Sequence, residues 1–201
     1  MMSTQILVPL DGSPLAKQAL PCAMTLSRGL AAELILFGAV SIPLDTQEIL
    51  GKAGVKADAL LEQLRAEAEG HLRQVVDQLQ EAGLNARYIV QRGPAAEAIV
   101  GYADQMDVGQ IVMATHGYTG PNRWTHGSVA ERVLQSASVP VLLVRAQEAG
   151  AGDTRQHMGC RRILVPLDGS ARAEQILPAV TPIAQALGSE VILFQVPIVY
   201  I

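Results

Sequence analysis

Ile6-Leu7-Val8-Pro9-Leu10-Asp11-Gly12-Ser13 is an apolar run that stops at a turn, and the same ILVPLDGS returns unchanged at Ile163–Ser170. A short apolar run bounded by Asp-Gly-Ser predicts a buried strand over Gln5–Leu10, then a turn into a helix. Two further matches keep the same offset. Leu20-Pro21 returns as Leu177-Pro178, and Ile35-Leu36-Phe37 as Ile192-Leu193-Phe194. Matches in a fixed register without a gap mark a duplicated unit. The first unit is expected to fill residues 1–145. The second, residues 161–201, holds an opening strand, a helix and a second strand. Between them AQEAGAGDTRQHMGC, Ala146–Cys160, is small, polar and without apolar period, as a linker is.

Working outward along the first unit, apolar runs alternate with helical patterns. Ser13 or Asp11 can cap a helix reaching about Leu30, with Pro21 inside it as a bend. Glu33–Val40 is a second strand, and residues 41–56 read as irregular. Over Ala57–Gly83, Leu61, Leu64, Ala68, Leu72, Val75 and Leu79 recur at helical steps. A strand follows at Ala86–Val90, then a helix at Ala95–Gln105 opened by Pro94. Gln110–Ala114, Ser128–Ser136 and Val139–Val144 complete the unit as strand, helix and strand. Strands that read as continuous apolar runs belong to a parallel sheet covered on both faces. The expected fold is α/β, a five-stranded parallel sheet of Rossmann-like type, plus a partial β-α-β repeat. Ligands of such sheets bind beyond the carboxyl ends of the strands.

Composition agrees with this class and excludes others. Hydrophobic residues make up 49% of the 201 and charged residues 17%, enough apolar material for a packed core. Aromatics are 3% and the net charge is −4, so neither a base-stacking platform nor a basic stripe for nucleic acid is present. The start MMSTQILVPLDG has no basic region ahead of a long apolar run, and no stretch suits a membrane span. A cytoplasmic protein with no nucleic-acid or membrane partner is expected. Cys22 and Cys160 form no CxxC pair or metal cluster. Walker, dinucleotide, GxSxG and HExxH motifs do not occur.

The stretch after the fourth strand carries the chemistry. From Ala114 it reads ATHGYTGPNRWTHGS, ending at Ser128 where a helix begins. Gly117, Gly120 and Gly127 let backbone N–H groups approach an anion, and the helix N-terminus adds its positive dipole end. Thr119 and Ser128 can add hydroxyls. Spacing alone leaves two readings open, an anion cradle and a surface loop with a serine cap.

ILVPLDGS, MATHG, GSVAERVL and VPVLLVR resemble the universal stress protein family across the first unit and the partial second. The resemblance implies the adenine-nucleotide α-hydrolase-like fold. In its nucleotide-binding members the loop is Gly-x2-Gly-x9-Gly-Ser/Thr. This chain matches Gly117-x9-Gly127-Ser128 and has Ala114 in place of the first glycine. By position, Pro9 and Asp11 would line the ribose and adenine pocket, and Ala39 would contact adenine through its backbone. Ala114, Thr115, His116, Gly117, Tyr118, Thr119 and Gly120 would wrap ribose and phosphates. Gly127, Ser128, Val129 and Ala130 would complete the phosphate side. The implied ligand is ATP or another adenine nucleotide, with or without Mg, in a stress-response or regulatory role.

Two alternatives stay open: a dimeric interaction protein that holds no nucleotide, and a slow ATPase. The absence of a recognisable general base disfavours catalysis. A homodimer or higher oligomer is expected, partly through the edge strand Val139–Val144. The second unit ends before its own glycine loop, so it is expected to be a structural appendage, with Val191–Ile201 as its main contact element.

Overall fold

The computed structural model describes residues 5–52, 56–115, 128–145 and 160–195. The first unit forms strands β1 (Gln5–Pro9), β2 (Glu33–Val40), β3 (Ala86–Arg92), β4 (Gln110–Ala114) and β5 (Val141–Val144). All pair in parallel, in the order β3-β2-β1-β4-β5. The connections are α1 (Leu20–Leu30), α2 (Leu44–Lys52), α3 (Ala57–Glu81), α4 (Ala95–Gln105) and α5 (Ser128–Ser136).

Strand alternation divides the core in two. Ile6, Val8, Leu34, Leu36 and Val112 face α1 and α3, meeting Cys22, Leu26, Leu72, Val76 and Leu79. Leu7, Ile35, Phe37, Ile111 and Met113 face α4 and α5, meeting Ile99, Tyr102, Ala103 and Val133. Leu7 and Val8 are both wholly buried, which is why β1 must be apolar at every step.

Several boundaries differ from expectation, each for a local reason. The helix expected after Ser13 is broken: a single 3-10 turn, Ala16–Ala19, precedes α1. Pro21 therefore lies in the first turn of α1, where its missing N–H has no partner to lose, and it does not bend a continuous helix. Ser13 does cap the segment, its Oγ accepting from the Ala16 N–H at 3.0 Å, while Asp11 Oδ1 accepts from the Ser13 N–H at 2.9 Å. The segment expected to be irregular contains α2. Its apolar residues are sparse and Ile49 is largely exposed, so no stripe announces the helix. The third strand runs on to Arg92, pairing with Val40. The last strand starts at Val141 because Pro140 has no N–H for the ladder; its carbonyl accepts from Ile111 instead.

In the second unit β6 (Arg162–Leu167) pairs in parallel with β7 (Glu190–Gln195), joined through α6 (Ala171–Glu174) and α7 (Leu177–Leu187). The turn repeats its chemistry: Asp168 Oδ1 accepts from the Ser170 N–H at 2.8 Å, and Ser170 Oγ from the Ala173 N–H at 3.1 Å. Among the described residues the contact with the first unit is made by α7 and not by β7; of the expected contact element Val191–Ile201, residues 196–201 lie outside the described residues. Ile183, Ala186 and Leu187 pack onto the α1 side of the first core. The described residues of β7 are all exposed, Leu193 by 58% and Phe194 by 49%.

The α1–α7 crossing is tight. A Cβ on Gly29 would lie 2.4 Å from the Ala186 Cβ and 2.6 Å from its Cα, and neither atom can swing away. Replacing Gly29 with valine is expected to lift α7 off α1. Limited proteolysis should then release residues 160–195 at least tenfold faster while the first unit stays resistant. At its C-terminus α1 ends on Ala31 in the left-handed region (φ 51°), where α7 ends on Gly188 (φ 63°). A Cβ in that region costs on the order of 1 kcal/mol. Ala31→Gly is therefore expected to stabilise the fold by about that amount, measured by urea unfolding.

Candidate functional site

The strand order reverses at β1: the chain moves outward through β2 and β3, then returns to place β4 on the other side. The loops leaving β1 and β4 must part there, and a crevice opens at their carboxyl ends. A cleft of about 120 Å³ occupies this place. Pro9, Leu10 and Asp11 enter it from the end of β1, and Met113, Ala114 and Thr115 from the end of β4. Phe37 and Ala39, two apart on β2, share the face that forms one wall. Ala95 and Ile99, one turn apart, bring in α4.

The N-terminus of α5 closes the remaining side. Ser128, Val129 and Ala130 line the cleft, so the N–H groups of this first turn, which have no partner within the helix, border it. Nothing basic lies among the described lining residues, and Asp11 is the ionisable one. Its carboxylate is tied to the turn through the Ser13 N–H. The described part of the cleft is thus an apolar slot with a carboxylate and a helix N-terminus at its mouth.

Of the residues singled out from sequence, Pro9, Asp11, Ala39, Ala114, Thr115, Ser128, Val129 and Ala130 are brought together around this cleft. His116, Gly117, Tyr118, Thr119, Gly120 and Gly127 lie outside the described residues. Sequence reasoning missed Leu10, Ala16, Phe37, Ala95, Ile99 and Met113. Two were reachable by counting: Phe37 from Ala39 by the strand period, and Met113 from its place beside Ala114. The α4 residues gave no signal, since alanine and isoleucine on a helix face read as core.

Other reactive groups stand apart from the cleft. Burial pushes the Cys22 thiol up to about 11, and nearby Cys160 adds to the shift. A thiol so raised carries almost no thiolate near neutral pH and is no nucleophile. Among the described residues no group of three His, Cys, Asp or Glu could hold a metal ion, and no helix is long and apolar enough to cross a membrane.

A doubly wound parallel sheet with a cleft at its switch point defines an α/β protein of the Rossmann-like kind. The chain belongs to the universal stress protein family, whose pattern matches residues 2–145. It is 32% identical to universal stress protein MJ0531 of Methanocaldococcus jannaschii over 142 residues, covering 70% of this chain and 81% of that one. It is 30% identical to universal stress protein YxiE of Bacillus subtilis, covering 72% of this chain and all of that one. Among solved structures, MJ0577 superposes with a TM-score of 0.62 at 27% identity, over 74% of this chain and 100% of that one. A universal stress protein of Archaeoglobus fulgidus shares the fold over 97% of this chain and 68% of its own, with a TM-score of 0.74 at 20% identity. Two further members with the same fold were solved with adenine nucleotides, one with cAMP (TM-score 0.56, 21% identity) and one from Archaeoglobus fulgidus with dAMP (TM-score 0.52, 20% identity).

The cleft wall is also core, and this gives a test of its rigidity. Phe37 is 1% exposed, and its ring lies 5.3 Å from that of Tyr102. The Tyr102 hydroxyl in turn accepts from Arg87 at 3.2 Å. Phe37→Ala is expected to destabilise the protein by about 3–5 kcal/mol. Urea unfolding measures this loss, and a Phe37→Leu variant should recover more than half of it.

Proposed function

We propose that the first unit binds an adenine nucleotide, ATP among the candidates, and acts as a regulatory stress protein and not as an enzyme of ordinary turnover. One observation carries this reading: the N-terminus of α5 and the ends of β1, β2 and β4 converge on a single apolar slot. Adenine would lie flat between Ala39, Ile99 and Met113, its edge on β2 backbone groups. Asp11 would accept from ribose hydroxyls. Phosphates would extend to the first turn of α5 and to the loop carrying Gly117, Gly120 and Gly127, where N–H groups and the helix dipole favour negative charge. The cAMP and dAMP held by two relatives support the ligand class. Any Mg would travel with the phosphates, since the described lining offers no group of acidic ligands.

Slow turnover is part of the same proposal. Asp11 is committed to the turn and to ribose, and no histidine, lysine or glutamate is described in the cleft to activate water. Pairing between copies through β5 completes the proposal, because that strand is a half-buried edge of the sheet. A cytoplasmic setting accords with it.

The test begins with mass spectrometry of ligand released from denatured, freshly purified protein, where an adenine nucleotide is expected. Ala95→Trp, at the half-exposed mouth of the cleft, and Gly127→Val, in the loop, should each weaken ATP binding at least tenfold with the circular-dichroism spectrum unchanged. Unchanged affinity in both folded variants rejects the site. Phosphate release at ordinary enzyme rates, on the order of 1–10³ per second, rejects the regulatory reading.

A further inference from the structure

At the other end of the sheet, where β1 and β4 begin, a second cavity of about 120 Å³ lies between the two repeats. Ile6, Leu30, Gln110 and Pro140 of the first unit form one wall, and Ala179 and Ile183 of α7 the other. Gln110 is the anomaly. It is 7% exposed, yet its side-chain Nε2 has no hydrogen-bond partner among the described residues. Alternation along β4 puts Gln110 on the same face as Val112, the face that α1 and α7 cover. Its amide therefore belongs to the cavity side of the sheet. A buried donor without an acceptor pays the full desolvation of that group, and such groups are rare in folded proteins.

The surroundings restrict what can satisfy it. Among the described residues no ionisable side chain lines the cavity, so a charged ligand would enter uncompensated. A water needs two to four polar partners, and the walls are mostly Ile, Leu, Pro and Ala. At about 30 Å³ per water, the space holds roughly a five- or six-membered ring. Gln5 lines the cavity as well: alternation starts it on the Leu7 face of the sheet, its Nε2 donates to Glu33 at 3.4 Å, and its Oε1 is a second atom without a partner among the described residues, an acceptor that offers nothing to a carbonyl oxygen.

We propose that this cavity binds a small uncharged carbonyl compound, whose oxygen accepts from Gln110 Nε2 and whose apolar body lies between Leu30, Pro140 and Ile183. Both repeats supply its walls, so occupancy favours α7 seated on α1, and the site reports on a ligand by tightening the junction. It lies at the opposite end of the strands from the nucleotide cleft and does not depend on it.

Cyclopentanone is the probe, titrated into the full chain and followed by the Gln110 side-chain amide and the Ala179 and Ile183 backbone amides in ¹H–¹⁵N spectra. Saturable shifts are expected with a Kd on the order of 1–10 mM, as befits about six heavy atoms. Acetate, with the same acceptor but a charge, should produce none. Gln110→Met, which keeps length and removes the donor, should weaken cyclopentanone binding about tenfold, and Ala179→Leu, which fills the space, should abolish it. Shifts that stay linear to about 100 mM would mean that water alone fills the cavity and would overturn the proposal. Equal affinity in folded Gln110→Met would overturn it too, by removing the donor from the account.

Discussion

Everything in the first unit hangs on the parallel pairing of β1 with β2 on one side and β4 on the other. The pairing sets Leu7 against Ile35 and Ile111, and it forces each side chain of β1 into one of two dry layers. A parallel neighbour can be reached only by a crossover, so each pairing brings a helix with it. Because crossovers share one hand, the helices of the β1-β2-β3 arm and the β4-β5 arm are sorted onto opposite faces. The cleft is the geometric remainder of that sorting, at the switch point where β1 and β4 end. Site and core therefore cannot be varied separately, and Phe37 and Ala114 belong to both.

Where the sequence was legible, one strong signal dominated each segment. Glu33–Val40, Ala95–Gln105, Gln110–Ala114 and Ser128–Ser136 are the expected elements, residue for residue. Each has a clean apolar pattern between unmistakable breakers. The misreadings fall where signals were weak or competed. In α2 good helix formers lack an apolar stripe, so periodicity was silent while propensity spoke. At Pro21 a helical pattern ran across two short helices, and a proline that begins the second was indistinguishable from one that bends a single long one. For the site, the residues after strand ends could be named in advance, because topology assigns them. The α4 wall could not, since Ala95 and Ile99 differ from core residues only in what lies opposite them.

The two repeats form a natural experiment on burial. Leu36 and Phe37 are 0% and 1% exposed; their counterparts Leu193 and Phe194 are 58% and 49% exposed. Identical local sequence forms the same strand in both places, down to the Asx turn that follows β1 and β6. Secondary structure is thus written locally here, whereas dryness is conferred by neighbours. Among the described residues of the second unit, Val165 of β6 and Ala184 of α7 are buried, and α7 finds apolar cover on α1.

That helix contact has a further consequence. Gly29 and Ala186 hold the same position of the repeated helix, as Leu20–Leu30 and Leu177–Leu187 align without a gap. At this crossing one helix offers a glycine and the other a methyl group, and two methyl groups would collide. A pair of identical helices could not meet in this way, since both would carry the same residue. The asymmetry between the repeats is therefore a working part of the joint: the glycine makes room, and the alanine on the other side keeps a better helix former.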